Sequence, residues 1–290
     1  MDSFLSAVGG RLADVWIRLL AIPGLILTGV AAVATALGHG HWADTGRLLD
    51  KATAAGTRIS AGGSAGIVLT CVGVLLSAAL AGVLARGGGL LVYELALGNW
   101  LVPSEWATKH RQARWADAAN PYAEAVLANS ARDVIDELAG RRNRIAPAEP
   151  SRPTWIGDRL ASVDKLVWTE YKLDLVSAWP RLWLIMPDAA RAELKEARAA
   201  FRAATTLAAW GLLYLLVGIA WWPAALIGVS VALTAWWRMR RDAATLADLA
   251  HAAVDLYGSS LARALGLAAE GDELTKELGA RITARLRKGG

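Results

Sequence analysis

Apolar residues in this chain are distributed in two ways, as unbroken blocks and as stripes that recur every three to four positions. The blocks carry almost no charge and cover residues 19–37, 65–85 and 205–237, with a weaker one at 90–102. A helix crossing a hydrocarbon core about 30 Å thick needs roughly 20 residues at 1.5 Å each. The first two blocks therefore predict spans near 19–37 and 65–85. The third is too long for one helix, and Gly218-Ile219-Ala220-Trp221-Trp222-Pro223 interrupts it with a proline and two interface-seeking tryptophans. It predicts a helical hairpin. The second arm, 224–237, is short for a full span, so a re-entrant segment is the alternative to a complete crossing. The weak block ends in Asn99-Trp100 and predicts an interfacial helix.

Lysine and arginine near span ends set orientation. Arg11, Arg18, Arg86, Arg198, Arg202, Arg238, Arg240 and Arg241 fall on one side of the predicted spans. The other side has Arg47, Lys51 and Arg58, offset by Asp44 and Asp50, in the loop 42–64, and a charge-free turn at Trp221-Trp222-Pro223. The richer side is expected to be cytoplasmic, with both termini inside. Ala34-Thr35-Ala36 has the form of a cleavage site. The 18 residues before the block include Asp2 and Asp14 and are long for the start of a signal peptide, so a retained span is expected.

Between the blocks the pattern is helical. Asn120-Pro121 predicts a helix start, and Leu127, Ala131, Val134 and Leu138 mark one face against Asp133, Asp136 and Glu137. Residues 141–153, with three prolines and four arginines, predict a loop or hinge. Thr154 then caps a helix carrying Ile156, Leu160, Val163 and Val167. Another follows with Leu175, Val176, Trp179, Leu182, Trp183 and Met186 on a broad face. Pro187-Asp188 opens a long helix expected to run through Arg198 and Arg202 into the hairpin. After the hairpin, Leu246, Leu249, Ala253, Leu256 and Ser260 continue a helical stripe. Asp272 is read as the cap of a last helix, whose Leu274, Leu278, Ile282 and Leu286 oppose Arg281, Arg285, Arg287 and Lys288, suited either to anionic lipid or to solvent.

The chain therefore reads as an all-α integral membrane protein with about four transmembrane helices and a helical cytoplasmic domain between spans two and three. Residues 1–102 form an N-terminal membrane region and 103–203 the cytoplasmic domain. Residues 204–241 form the hairpin and 242–290 the cytoplasmic C-terminal helices. Composition agrees, since 55% of residues are hydrophobic and the mean hydropathy is +0.34. The net charge of +5 raises nucleic acid as a partner, but the cations gather at block ends and not in a stripe among aromatics, so none is expected. Cys71 is the only cysteine, which excludes an intramolecular disulfide. Of 31 cations 24 are arginine, a bias that with abundant alanine points to a GC-rich bacterial source.

Catalytic chemistry has no visible vehicle. His39 and His41 lack the acids or cysteines of a metal site, and His110 and His251 stand alone in sequence. Gly87-Gly88-Gly89 lacks the lysine of a phosphate loop and predicts a flexible break. Glu94, the one acid in its block, would matter only inside a membrane. Gly62 and Gly66, and the face of Ala224, Gly228 and Ala232, would let helices approach closely, within one chain or between copies. Metal ions and cofactors are not expected.

Pro153-Thr154-Trp155-Ile156-Gly157-Asp158-Arg159-Leu160, Tyr171-Lys172-Leu173-Asp174, Trp179-Pro180-Arg181-Leu182-Trp183 and Pro187-Asp188 precede the hairpin. This arrangement resembles a group of uncharacterised bacterial multi-pass membrane proteins over about residues 153–237. The resemblance implies a membrane context and no particular chemistry. Physically the motif reads as packing, with a ligand pocket lined by Trp155, Trp179 and Trp183 as the alternative.

The expected function is that of a multi-pass cell-membrane anchor or docking protein, not an enzyme, presenting its cytoplasmic domain to a protein partner. An oligomeric channel or transport component is the alternative. Trp155, Trp179, Arg181 and Trp183 are the candidate partner or packing surface. Trp221, Trp222, Trp236, Trp237, Arg238, Arg240 and Arg241 are the candidate membrane-interface anchors. The lipid bilayer, a cytoplasmic protein and further copies of the chain are the partners considered.

Overall fold

A computed structural model describes residues 22–100 and 104–287. The start of the first predicted span, Asp2, Arg11, Asp14 and Arg18, the end of the weak block and Lys288 lie outside the described residues. Those described form helices without a strand: α1 Ile22–Leu37, α2 Thr45–Ala61, α3 Gly63–Leu97, α4 Glu105–Leu127, α5 Arg132–Ile145, α6 Trp155–Tyr171, α7 Leu175–Ile185, α8 Asp188–Gly218, α9 Trp222–Ala264 and α10 Lys276–Leu286. Among them α3 and α8 are long and apolar enough to cross a membrane; α1 and α7 are shorter apolar helices. The chain divides into two compact units, residues up to Val92 with Arg202–Trp237, and Tyr93–Phe201 with Arg238 onward.

Along α3 in the first unit the small side chains are inside and the large aliphatic ones outside. Ala78, Ala81, Gly82, Ala85 and Gly89 form the buried face of α3, whereas Val68, Leu69, Leu75, Leu76, Leu80 and Val83 are exposed. Water would favour the opposite arrangement. Packing depends on close backbone approach. A Cβ on Gly24 would lie 2.2 Å from the Ala78 carbonyl oxygen, joining α1 to α3, and one on Gly89 would lie 2.8 Å from Thr206 Oγ1. Leu27, Ala81, Ala85 and Trp210 close this small core.

Several predicted features of this unit are corrected. The glycine triplet is not a break, because α3 runs through it; Gly88 faces Ala209 and Gly89 faces Thr206, where a side chain would not fit. The separate helix predicted over 90–102 is the C-terminal part of the same α3, as far as it is described. The loop 42–64 is mostly α2, capped by the Asp44 carboxylate accepting from Arg47 N–H, with no residue buried. Gly62 and Gly66 serve the α2–α3 junction, since a Cβ on Gly66 would lie 2.6 Å from the Ile59 carbonyl oxygen. As Gly218 and Pro223 predict, one helix ends at Gly218 and the next starts at Trp222.

The second unit has a conventional apolar core of Val167, Leu173, Ala178, Leu182, Val254, Leu261 and Ile282, all essentially inaccessible. Each large aliphatic among them contributes about 1.5–3 kcal/mol. Its turns follow local chemistry. Thr154 Oγ1 accepts from Gly157 N–H at 3.0 Å and caps α6; the Asp174 carboxylate accepts from Ser177 N–H and caps α7. Lys172, at φ 55°, ends α6, and Thr283 bridges that turn by donating to the Lys172 carbonyl and accepting from Asp174 N–H. A helix does run from Asp188 through Arg198 and Arg202, as the sequence predicts.

Here too the structure differs in places. Asn120-Pro121 does not start a helix; α4 begins at Glu105 and accommodates Pro121. The stripe from Leu127 to Leu138 is split by a turn in which Asn129 adopts φ 51° and Ser130 N–H reaches back to the Ala125 carbonyl. Arg141, Arg142 and Arg144 belong to α5, which stops at Ile145 because Ala146, ahead of Pro147, is held extended. The last helix is capped by Thr275, not Asp272. Leu278 and Ile282 are in the core, so its apolar face is used within the protein and not offered to lipid. Leu256 points outward, off the stripe it was assigned to.

Candidate functional site

Among the described residues of the second unit, two concavities separate the tryptophans grouped by the sequence. The first is an apolar groove of about 620 Å³ among α6, α7, α8 and α9. Trp179, Pro180 and Trp183 form one wall, with ring centres of the tryptophans 6.4 Å apart. These rings are half-buried because α7 is short and apolar around most of its circumference, so part of its surface stays uncovered. Leu160, Val163, Leu175, Leu246 and Ala247 make the floor, and exposed Val176 lies at the edge. Lys195 and Arg198 stand on α8 beside it, with Lys195 Nζ 5.9 Å from the Trp183 ring centre; Asp164 is the acid of the lining. Arg181 is absent from the groove and donates to the Ser177 carbonyl at 2.8 Å.

The second is a polar cleft of about 410 Å³ lined by Arg111, Arg114, Arg141, Arg144, Ile145, Trp155 and Arg240. Four helices supply these side chains. Beneath it, Asp158 is 3% exposed and accepts from Arg111 Nη2 at 2.7 Å and Nε at 3.0 Å, and from the N–H groups of Ser151 and Arg152 at 2.7 and 2.8 Å. Arg111 also donates to the Ile145 carbonyl, Gln112 to that of Pro150 and Trp115 to that of Ala146, so α4 holds the proline-rich loop in place. The Arg240 guanidinium lies 4.2 Å from the Trp155 ring centre. Burial first, and then the charge of Arg111, holds its pKa below the usual arginine range.

Among the interface candidates, Trp221 Nε1 donates to the Trp42 carbonyl at 3.1 Å, and Trp222 meets the Trp42 ring edge-on at 5.0 Å. Trp236, Trp237, Arg238 and Arg241 are exposed at the far end of that arm, with Arg241 beside Asp242 at 3.2 Å. Arg240 turns instead into the polar cleft.

Three of the histidines lie beside polar groups. His39 Nδ1 is 2.9 Å from the Ala220 carbonyl, and His41 Nδ1 is 3.1 Å from Arg47 Nη1. Asn99 Nδ2 donates to Glu94 at 2.7 Å. His251, solitary in sequence, lies 3.2 Å from Glu170 and 3.8 Å from Asp255, a cluster with the donor types of a metal site. Tyr171 donates to the same Asp255 at 2.9 Å, and burial together with that carboxylate raises its pKa.

No protein-family model, curated protein or solved structure matches this chain. The motif before the hairpin nonetheless has definite structural work. Thr154 and Asp174 cap helices, Asp158 organises the loop, and Gly157 lets α6 approach Leu97, whose carbonyl oxygen would lie 2.4 Å from a Cβ. The role of Asp158 was missed in the sequence because its partners are 6, 7 and 47 residues away.

Proposed function

We propose that this chain is a multi-pass membrane anchor that docks a cytoplasmic protein through the Trp179–Trp183 groove. The groove carries the reading: an aromatic and aliphatic trough flanked by Lys195 and Arg198 suits the apolar face of an amphipathic helix that bears acidic residues along its edge. Such a helix would bury the half-covered tryptophans, the side chains that most often dominate binding energy.

The membrane part of the proposal rests on α3 and α8, which have the length and composition to cross a bilayer, and on the outward-facing aliphatic residues of α3. Lipid removes the penalty for such a surface. The cation distribution supports cytoplasmic termini and a four-span arrangement, with α1 and the N-terminal part of α9, the hairpin's second arm, as the remaining crossings. The channel alternative is weakened because Gly228, on the small-residue face, is used against Gly211 within the chain.

The test places a photo-crosslinking residue at Val176 in the full-length protein and irradiates native membranes. A single protein should be captured through an amphipathic acidic segment, and Lys195→Glu with Arg198→Glu should abolish capture. Recovery of lipid alone, or capture insensitive to the charge reversal, overturns the docking proposal.

A further inference from the structure

The arginine cleft poses an electrostatic problem that the described protein only partly solves. Guanidinium groups brought together from separate helices repel one another; Arg111 and Arg240 are half-buried here, and Arg114, Arg141 and Arg144 stand exposed at the rim. Asp158 answers Arg111, and Glu137 answers Arg141 at 2.6 Å. Among the described residues no carboxylate pairs with Arg114 or Arg144. Trp155 adds an independent observation on the same wall. Its Nε1 is buried and has no acceptor, although an indole N–H is a donor only and is costly to bury unmade. Surplus cations therefore line a concavity beside a ring whose buried donor is unmet, and a compact group rich in acceptor oxygens and negative charge would answer them.

We infer that this cleft is a binding site for a phosphate-bearing anion, held by Arg114, Arg144 and Arg240 and by the Trp155 N–H. Guanidinium forks match phosphate oxygens in two-point geometry, which favours phosphate over a single carboxylate. Arg111 is tied to Asp158 and to the Ile145 carbonyl, so it supplies a fixed charge and holds the wall. The volume of about 410 Å³ admits a phosphomonoester or diphosphate with part of its organic substituent. In sequence Arg240 follows the end of the apolar block at Trp237 by three residues, which makes a phospholipid headgroup one source of that chemistry and a soluble phosphate compound the other.

Full-length protein in nanodiscs of phosphatidylcholine, titrated with inorganic pyrophosphate by calorimetry, tests the inference. Saturable binding at one site per chain is expected. Arg114→Gln with Arg144→Gln should weaken it by about a hundredfold, near tenfold for each charge-assisted hydrogen bond removed. Trp155→Phe keeps the ring under Arg240 and removes the donor, and should weaken binding about fivefold. Arg181→Gln, exposed and outside the cleft, should leave affinity unchanged, and unchanged unfolding midpoints show that the variants are folded. Repeating the titration with phosphatidic acid in the nanodiscs separates the sources. Competition seen in the wild type and abolished in the double variant identifies a lipid headgroup, and its absence a soluble phosphate. Absence of pyrophosphate binding at millimolar concentration, or affinity indifferent to both the double variant and Trp155→Phe, overturns the inference. Neither arginine lines the Trp179–Trp183 groove, so this outcome is independent of the docking proposal.

Discussion

Gly211 of α8 and Gly228 of α9 face each other so closely that a Cβ on Gly228 would lie 2.9 Å from the Gly211 carbonyl oxygen, and one on Gly211 3.1 Å from that of Gly228. Both clashes are with backbone, which has little room to yield. Gly228→Val should therefore force the arms apart and cost about 1–3 kcal/mol or more. Gly29→Ala on α1, where nothing lies within 4 Å of the added methyl, should be neutral or slightly stabilising. Unfolding of both variants in detergent, followed by circular dichroism, checks the contrast.

Leu76 is 65% exposed near the middle of α3. If lipid covers it, Leu76→Asp places a charge in hydrocarbon at a cost of about 3 kcal/mol and should sharply reduce insertion. A water-facing position would tolerate the change. An in vitro translocation assay with glycosylation sites flanking α3 distinguishes these outcomes, and undiminished insertion would contradict a lipid-facing α3.

Asp158 is buried beneath the arginine cleft and holds Arg111 and two loop N–H groups. Asp158→Ala strands a charge and two donors and should cost about 3–5 kcal/mol. The loop between α5 and α6 should become the first site of limited proteolysis. Protection equal to the wild type would mean that the loop does not depend on this carboxylate.

Burial pushes the Asp174 carboxyl upward, but Arg287, donating from Nε at 2.8 Å, and the Ser177 hydroxyl and N–H outweigh it and leave the pKa below the ordinary aspartate value. With the folded pKa below the unfolded one, the stabilisation is complete above about pH 4 and disappears as pH falls through the folded value. Arg287→Ala should lower the thermal midpoint at neutral pH and flatten its fall as pH drops below about 4. Parallel acid titrations of the two proteins provide the measurement.

Legibility in the sequence was uneven for definite reasons. Thr154 was readable as a cap because a cap is satisfied within three residues, and Asp174 follows the same local rule. Asn120-Pro121 misled, since proline in a first turn and proline tolerated inside α4 look alike locally. Gly87-Gly88-Gly89 suggested a break because isolated glycine weakens helices, whereas here Ala209 and Thr206 need the space. Trp155 was grouped with Trp179 and Trp183 on residue type, yet it faces a different concavity.

The amino-acid sequence by itself determined the apolar blocks, the hairpin break between Gly218 and Trp222, the helical character of the chain and the Thr154 cap. These depend on side-chain transfer energies and on hydrogen bonds closed within one turn, which neighbouring residues fully specify. Tertiary structure alone decided that Arg114, Arg144, Trp155 and Arg240 share a cleft, that Thr283 bridges the end of α6, and that Gly211 meets Gly228. Periodicity tells which face of a helix is apolar; it carries no information about which distant helix will cover that face or which charges will be brought together there.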